Sequence, residues 1–357
     1  MNVHSDILQR PPEEASRRIA LSYLDAAHAG AVRLGDPHDE EALHDFRVAI
    51  RRLRSTVRAW SAPLEGSITK KQRRALKDLQ RATGAGRDAE VLVEWLEAAR
   101  PELNTRHRAG LDWLVEQLAQ RRDAAYGHVR EHVRAAFARL EAKLRERLRR
   151  LTLNVDLLAQ PASATYACAL AHHSGEHLEE LAGALERIDS VADHEQAHAA
   201  RIRGKRLRYL VEPVAPHLAE ARKVVKRCKQ LQDLLGDFND TTQLLVELAD
   251  ATERAAAEHA RHLHQHARTG APEKPPNNSR VQTGLVALTR YAQANQDTLF
   301  ANLQHGWLAP DVGGLRPLVA QLQVRLQQEV GVSEPETIPP HLDAEASREH
   351  EPATSAE

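Results

Sequence analysis

Cysteines, aromatic residues and long apolar runs are scarce in this 357-residue chain, and each scarcity argues against a class of protein. Only two cysteines occur, Cys168 and Cys228, with no CxxC pair, so neither a disulfide framework nor a thiolate metal site is expected. No stretch approaches the roughly 18 apolar residues of a membrane span, and the first residues lack a signal-peptide pattern. We therefore expect a soluble, cytoplasmic protein.

Residues that favour β-strands are also few. Aromatic residues make up 4 % of the chain, whereas good helix formers such as Ala, Leu, Arg, Glu and Gln dominate. This composition predicts an all-α fold. The helical periodicity and the turn residues predict helices near 12–33, 40–60, 68–83, 88–99, 104–150, 163–187, 192–213, 217–235, 239–268, 280–305 and 315–330.

The order of these elements predicts five regions. They are an N-terminal extension (1–11), a first helical bundle (12–155), a second bundle (160–310), an extra C-terminal helix (311–332) and a disordered acidic tail (333–357). The chain has 49 Lys and Arg against 50 Asp and Glu. Because residues 334–357 contain seven acids and one Arg, we expect the folded part to be net basic.

An internal repeat is the most informative feature of the sequence. The segment HDFRVAIRRLR, from His44 to Arg54, aligns without a gap with HAARIRGKRLR, from His198 to Arg208. Further along the chain, LQRATGAGRD (79–88) matches LQDLLGDFND (231–240). Matching positions of this second pair are two residues closer in sequence than those of the first pair. Agreement over two consecutive helices predicts a duplicated surface.

The repeated residues form basic stripes when each helix is drawn at 100° per residue. On the first repeated helix, Phe46, Ala49, Leu53, Val57 and Trp60 form the predicted core face, opposite the basic side. The candidate site residues of the first repeat are His44, Arg47, Arg51, Arg52, Arg54, Arg58, Lys70, Arg74, Lys77 and Arg81. Those of the second are His198, Arg201, Lys205, Arg206, Arg208, Arg222, Lys226 and Lys229. Because Arg52 and Arg206 lie about 80° from the stripe, they could instead serve a neighbouring helix or an acidic partner.

The charge of both repeats suggests an anionic ligand. Residues 44–88 contain twelve bases and four acids, and residues 198–240 contain ten bases and five acids. Like charges at i, i+4 destabilise a helix by a few tenths of a kcal/mol per pair, so an unneutralised stripe has a cost. Solvated faces paired with nearby acids are the ordinary alternative, but duplication of the pattern favours function. Arg, Lys and His are all suited to binding phosphoryl oxygens.

The two His/Arg segments resemble the signatures of the CHAD family, the conserved histidine α-helical domain. LGDFND (235–240) and the degenerate GAGRD (84–88) are similar to the helix-turn signature of that family. The resemblance covers roughly 12–310, without the ExExK strand of an accompanying triphosphate tunnel domain, and it identifies a stand-alone member. It implies two antiparallel, four-helix bundles related by a pseudo-twofold axis around a central basic channel. It also implies binding of long-chain inorganic polyphosphate there, and in some members association with polyphosphate granules.

Two residues of the second repeat depart from the basic and apolar pattern of the first, and they weaken the second half of the expected site. Gly204 stands opposite Ile50 of the first repeat, and Asp233 stands opposite the basic Arg81. The contacts of the second repeat with a polyanion are therefore expected to be the weaker ones.

Other functions have less support from the sequence. Nucleic acid or an acidic protein partner could use the same basic helices, but no aromatic platform for bases accompanies the stripes. A nucleophile elbow and a phosphate-binding glycine loop are absent, so no enzyme, catalytic residue or cofactor is predicted. The dipeptides His38-Asp39 and His44-Asp45 could suggest a metal-dependent phosphohydrolase, but the arginines around them would repel a divalent cation. Histidines spaced to share a metal ion occur at His262/His266, His173/His177 and His194/His198, but the sequence suggests no third ligand for any of these pairs. The cluster of His259, His262, His264 and His266 is left without a role, and no metal site is predicted.

Overall fold

The computed structural model describes residues 5–36, 39, 41–128, 132–150, 165–269 and 279–331, and within these ranges no strand occurs. The helices are α1 (Pro12–Arg33), α2 (Glu41–Ala59), α3 (Lys70–Ala82), α4 (Gly84–Ala99), α5 (Arg108–His128), α6 (Arg134–Arg149), α7 (Tyr166–Leu185), α8 (His194–Val211), α9 (Ala219–Thr269), α10 (Ser279–Trp307) and α11 (Leu315–Gly331). Short 3-10 turns occupy Ser5–Gln9, Arg100–Glu102, Thr105–His107 and Glu212–Val214. The all-α prediction is confirmed. None of the described helices has both the length and the apolar character of a membrane span.

Two predicted helix boundaries differ from the structure. The segment 104–150, predicted as one helix, forms two, because α5 ends at His128 and α6 begins at Arg134. The break expected at Gly236 does not occur, since α9 runs through it for 51 residues, or about 75 Å. A helical glycine costs about 1 kcal/mol relative to Ala, and the burial of its neighbours Leu235 and Phe238 offsets this cost. The predicted loop at 270–278 and the tail at 333–357 lie outside the described residues.

The amphipathic pattern of α2 determines how this helix packs. Its predicted core face is buried, with Phe46, Leu53 and Val57 at most 3 % exposed. The core-face prediction is therefore confirmed. Helix α3 begins at a capping box, in which the Thr69 hydroxyl accepts a hydrogen bond from the Gln72 amide at 3.2 Å and the Gln72 side chain accepts one from the Thr69 amide at 2.9 Å.

The buried apolar side chains form two cores. The larger core joins α1, α2, α3, α6, α7, α8 and α11 with the first half of α9 and the end of α10. The smaller core joins α4 and α5 with the second half of α9 and the first half of α10. Both cores contain helices from each side of the boundary predicted near 155–160, so the apolar contacts cut across that division.

The two halves of the chain nevertheless repeat one order of helix contacts. Helix α2 packs on α1 and α3, and α6 packs on α1 and α3. In the same way, α8 packs on α7 and α9, and α11 packs on α7 and α9. Helix α11 is thus the counterpart of α6 rather than an addition to the bundle, and its Leu315, Val319, Leu322 and Leu326 are fully buried. The pseudo-twofold axis expected between the two halves stays a prediction.

Two glycines allow the helices of the smaller core to cross closely. A Cβ atom on Gly110 of α5 would lie 2.6 Å from the amide nitrogen of Leu285 in α10. A Cβ atom on Gly284 would lie 2.4 Å from the carbonyl oxygen of His107. These are backbone atoms of packed helices and cannot easily move, so each position requires glycine.

We expect Gly284→Ala to lower the free energy of unfolding by about 1–3 kcal/mol, because the added methyl group overpacks the α5–α10 crossing. Gly183→Ala is the matched control, since no atom lies within 4 Å of a Cβ atom at that position of α7. The control should gain about 0.5–1 kcal/mol from its helix propensity. Urea denaturation measures both values, and similar changes in the two variants would contradict the close crossing.

Candidate functional site

The repeated helices α2 and α8 pack against each other and run antiparallel. Arg52 of α2 pairs with Glu212, which directly follows α8. Further along α2, the charge of Arg58 acts on Arg206, which lies earlier in α8. The contact therefore brings basic side chains of the two repeats together.

Four basic side chains meet at the middle of this contact: Arg51, Arg201, Lys205 and Arg208, here called the central cationic cluster. The charges of the three arginines all act on the Lys205 ammonium group. The ring of Tyr209 lies beside them, with the guanidinium carbon of Arg208 at 4.6 Å and that of Arg51 at 5.8 Å from the ring centroid. Cation–π contacts of this kind stabilise the arginines partially but do not neutralise them.

The arginines of the cluster are incompletely hydrogen-bonded. The Nε atoms of Arg51, Arg201 and Arg208 are buried and have no hydrogen-bond partner in the described part of the chain. A buried donor without a partner costs about 1–3 kcal/mol, and more when the group is charged. Three such atoms in one cluster are the feature expected of a site that is completed by an acceptor from outside.

The pKa of Lys205 shows how strongly positive the surroundings of the cluster are. Burial, followed by the charges of Arg201, Arg51 and Arg208, lowers the pKa of Lys205 to about 7, and Asp240 opposes this shift only in part. Burial also lowers the pKa of Arg201 and of Arg47. The positive charges in this region are thus held close together without enough nearby acid to compensate for them.

Two acids that act on this region, Asp88 and Asp240, come from equivalent positions of the repeat, and Asp237 adds a smaller effect on Arg201. Asp88 interacts with Arg47 and Arg201, and Asp240 interacts with Arg201. Burial raises the pKa of Asp88, although the charge of Arg47 opposes that change. Gly236 of α9 lies beside Arg201, whose Nε atom would be at an ordinary contact distance of 3.8 Å from a Cβ atom there.

The ends of the α2–α8 contact differ in charge. In the gapless alignment Arg52 corresponds to Arg206, and Arg58 corresponds to Glu212. At one end Arg52 and Glu212 form an ion pair, whose longer hydrogen bond is 3.2 Å. At the other end Arg206 faces Arg58, and burial together with the Arg58 charge lowers the pKa of Arg206. Arg52 thus has an acidic partner across the contact. At the other end the acid beside Arg206 is Glu180 of α7, at 3.7 Å, and it also pairs with Arg203, so positive charge remains in excess there.

Several candidate residues are held within their own repeat. Arg47 donates to the hydroxyl oxygen of Thr83 at 3.0 Å, and Arg54 donates to the side-chain oxygen of Gln80. A ring nitrogen of His198 lies 3.0 Å from the side-chain oxygen of Asn239. His44 is exposed at the start of α2. These contacts orient the side chains around the central cationic cluster without neutralising their charge.

The basic stripes on the following helices lie on the outer surface. Lys70, Arg74, Lys77 and Arg81 of α3, and Arg222, Lys226 and Lys229 of α9, are all exposed. Arg222 donates to the carbonyl oxygens of Ala215 and Pro216 at 3.3 and 3.2 Å. The structure therefore brings together the residues of α2 and α8, and it places the α3 and α9 stripes outside the cluster.

The family model that describes the CHAD domain matches residues 18–249, which is well over half of the chain. The chain belongs to the CHAD family. The crystal structure of the CHAD domain from the plant Ricinus communis is 22 % identical and matches with a TM-score of 0.55, covering 90 % of this chain and 95 % of that one. PptA from Streptomyces chartreusis is 16 % identical, with a TM-score of 0.56 and coverage of 83 % and 99 %. At these identities the two structures support the fold alone. A search of the curated proteins found no match.

Three features of this CHAD domain were not predicted from its sequence. Tyr209 lies beside two arginines, Glu212 pairs with Arg52, and Asp88 and Asp240 lie near Arg47 and Arg201. The two aspartates could have been found, because the repeat aligns them at the end of matching glycine-containing segments. Nothing in the one-dimensional pattern indicated the roles of Tyr209 and Glu212. Among the described residues, no three His, Cys, Asp or Glu side chains come together in an arrangement suited to a metal ion.

The buried position of Lys205 predicts a pH-dependent stability. An unfolded Lys has a pKa of about 10.4, so above about pH 7 the unfolded chain of this CHAD domain binds a proton that the folded chain has lost. The Lys205 contribution to the free energy of unfolding therefore rises with pH over this window. Lys205→Met removes this contribution.

We expect the advantage of Lys205→Met over the wild type to be largest near about pH 6.5 and to narrow towards about pH 10. Denaturation midpoints measured across this range test the expectation. Lys223→Met, at an exposed position of α9, is the control and should show no such trend. A constant difference between Lys205→Met and the wild type would show that Lys205 remains charged throughout.

Proposed function

We propose that this protein binds long-chain inorganic polyphosphate along the contact between α2 and α8. The observation that carries the proposal is the central cationic cluster, with its buried and unpaired arginine Nε atoms and its depressed Lys205 pKa. A folded protein retains so concentrated a charge at a cost in stability, which an anionic ligand would remove.

The chemistry of the cluster suits a phosphate polymer. Each guanidinium can donate two parallel hydrogen bonds to phosphoryl oxygens, and Lys205 adds a compact positive charge. At the Arg58–Arg206 end three arginines, Arg58, Arg203 and Arg206, surround one acid, Glu180, and they extend the cationic surface beyond the cluster on one side. Because a polymer bound at one group raises the local concentration of phosphate at the next, affinity should increase with chain length.

Nucleic acid is the second candidate ligand, and the aromatic residue at the site argues against it. Proteins that bind single strands stack bases on accessible aromatic rings. Tyr209 is only 2 % exposed, so its ring is covered by the neighbouring helices and arginines and is not available to a base. An acidic protein partner would use the same charges, but an extended inorganic polyanion can reach between two packed helices more readily than a folded surface.

The same proposal covers the biological setting. We propose a binding protein rather than an enzyme, acting in the cytoplasm and able to associate with polyphosphate granules. No cofactor is required for this role, because cations already present in the chain neutralise the ligand.

We expect the double substitution Arg51→Gln and Arg208→Gln to weaken binding of long-chain polyphosphate. Each lost charged hydrogen bond contributes about 1.5–3 kcal/mol, so the dissociation constant should rise by about tenfold or more per arginine. Binding isotherms at one fixed salt concentration measure the change. The melting temperature of the double variant should be equal to or above that of the wild type, because repulsion between like charges is relieved.

The control for this test is a second double variant that loses the same two positive charges on another part of the surface. Arg261 and Arg268 are exposed near the end of α9, so Arg261→Gln with Arg268→Gln should change binding little. If the two double variants weaken binding equally, only the total charge matters and the proposed site is wrong. If the Arg51/Arg208 variant unfolds instead, these arginines support the fold rather than bind a ligand.

A competition experiment separates polyphosphate from nucleic acid. Both polymers release counterions, so salt dependence alone does not distinguish them. At equal phosphate concentration, long-chain polyphosphate should displace fluorescent single-stranded RNA from the protein, whereas the reverse displacement should require a large excess of RNA. Efficient displacement of bound polyphosphate by RNA would favour the nucleic-acid alternative.

A further inference from the structure

A second cationic surface lies outside the α2–α8 contact, in a cleft between α3 and α6. The cleft has a volume of about 440 Å³. Its walls carry five basic side chains and one acidic side chain, namely Lys71, Arg139, Lys143, Arg147, Arg150 and Glu146. The site proposed above does not include any of these residues.

The acid in the cleft neutralises only one of these charges. Glu146 forms an ion pair with Arg150. Arg147 donates to the backbone carbonyl oxygens of Ser67 and Gly66 at 3.0 and 2.8 Å, which fixes its position but leaves its charge. Lys71, Arg139 and Lys143 are exposed and form no ion pair with any residue that the structure describes. The cleft is therefore strongly cationic.

One position on the cleft wall is small in the first half and large in the second. The repeat register places Ala75, on the cleft wall, opposite Arg227 of α9. The guanidinium carbon of Arg227 lies 4.1 Å from the Trp307 ring centroid, and its Nε atom donates to the carbonyl oxygen of Gly313. In the second half, the position equivalent to Ala75 thus carries a long side chain that packs against the end of α10 and the segment before α11.

The charges of the cleft also lack a counterpart. Aligning the buried positions of α6 with those of α11 places Leu315 opposite Val133 and Leu326 opposite Leu144. In this register Arg139, Lys143 and Arg147 correspond to Gln321, Arg325 and Glu329, and Arg325 is paired with Glu329. The second half has no net positive charge at these three positions, so the cationic cleft is specific to the first half.

The exposed stripe of α3 connects the cleft to the central cationic cluster. Gln80, which accepts a hydrogen bond from Arg54 of α2, lies about 80° to one side of Lys70 on the helix. Lys71, on the cleft wall, lies about 100° to the other side. The stripe formed by Lys70, Arg74, Lys77 and Arg81 occupies the surface between them. Positive charge therefore extends from α2 across α3 to α6, with Asp78 the one acid on α3.

We propose that a polyphosphate chain leaving the central cationic cluster crosses the α3 stripe and enters the α3–α6 cleft, which forms a second subsite for the polymer. This inference rests on the function proposed above. It gives the polymer a preferred exit over the first half of the molecule, and it assigns a role to the outer stripe of α3.

The test uses the full-length double variant Arg139→Glu/Lys143→Glu and compares a short oligophosphate with long-chain polyphosphate at one salt concentration. The dissociation constant for the long chain should rise by about tenfold or more, because the altered side chains repel the polymer. Binding of the short oligophosphate, which the central cluster accommodates, should stay within about twofold of the wild type. Arg261→Glu/Arg268→Glu carries the same change of net charge on the far part of α9 and is the matched control.

The outcomes separate the subsite from the proposed function itself. If the wild type binds no polyphosphate, the proposed function fails. If the wild type binds but the cleft variant and the control lose long-chain affinity equally, or the cleft variant loses affinity equally for both ligands, the subsite is wrong. The measurement is repeated in a chain whose seven acids within 334–357 are replaced by Gln. A cleft effect that disappears in that background would assign the cleft to the acidic tail and overturn the proposal.

Discussion

The contact between α2 and α8 is the constraint on which the site depends. It brings Arg51 and Arg208 into one half-buried cluster with Lys205, where burial and mutual repulsion lower the Lys205 pKa. Repulsion between these like charges, taken alone, would push α2 and α8 apart. The opposite faces of both helices lie in the larger apolar core, with Leu53 and Leu207 fully buried, and that burial holds the charged faces together. The protein thus uses hydrophobic packing to concentrate positive charge.

Much of this arrangement could be predicted from the sequence because it depends on local periodicity. The helix formers predicted an all-α fold, the spacing of Phe46, Leu53 and Val57 predicted the buried side of α2, and the repeat predicted that α2 and α8 carry equivalent cations. What could not be predicted depends on contacts between distant segments. A glycine at 236 indicated a break, but tertiary packing kept α9 continuous. Glu212 could be recognised as the partner of Arg52 only after the two helices were known to be antiparallel.

Differences between the halves are as informative as their similarity. An ion pair closes one end of the α2–α8 contact, whereas Arg58 and Arg206 leave the other end cationic. Arg227 of α9 packs against the end of α10, whereas the equivalent Ala75 lies on the wall of the open cleft between α3 and α6. Because of each difference, the two halves of the site are not equivalent, as they would be in an exact repeat.

The smaller core has a consequence for how the chain reaches its native state. Its apolar side chains come from α4 and α5 of the first half and from α9 and α10 of the second. During synthesis, α4 and α5 leave the ribosome well before their partners exist, so they must wait with an apolar face exposed until α10 has been made. Folding of the two halves is therefore not sequential. Although the two halves share a repeated sequence pattern, neither half has a complete core of its own.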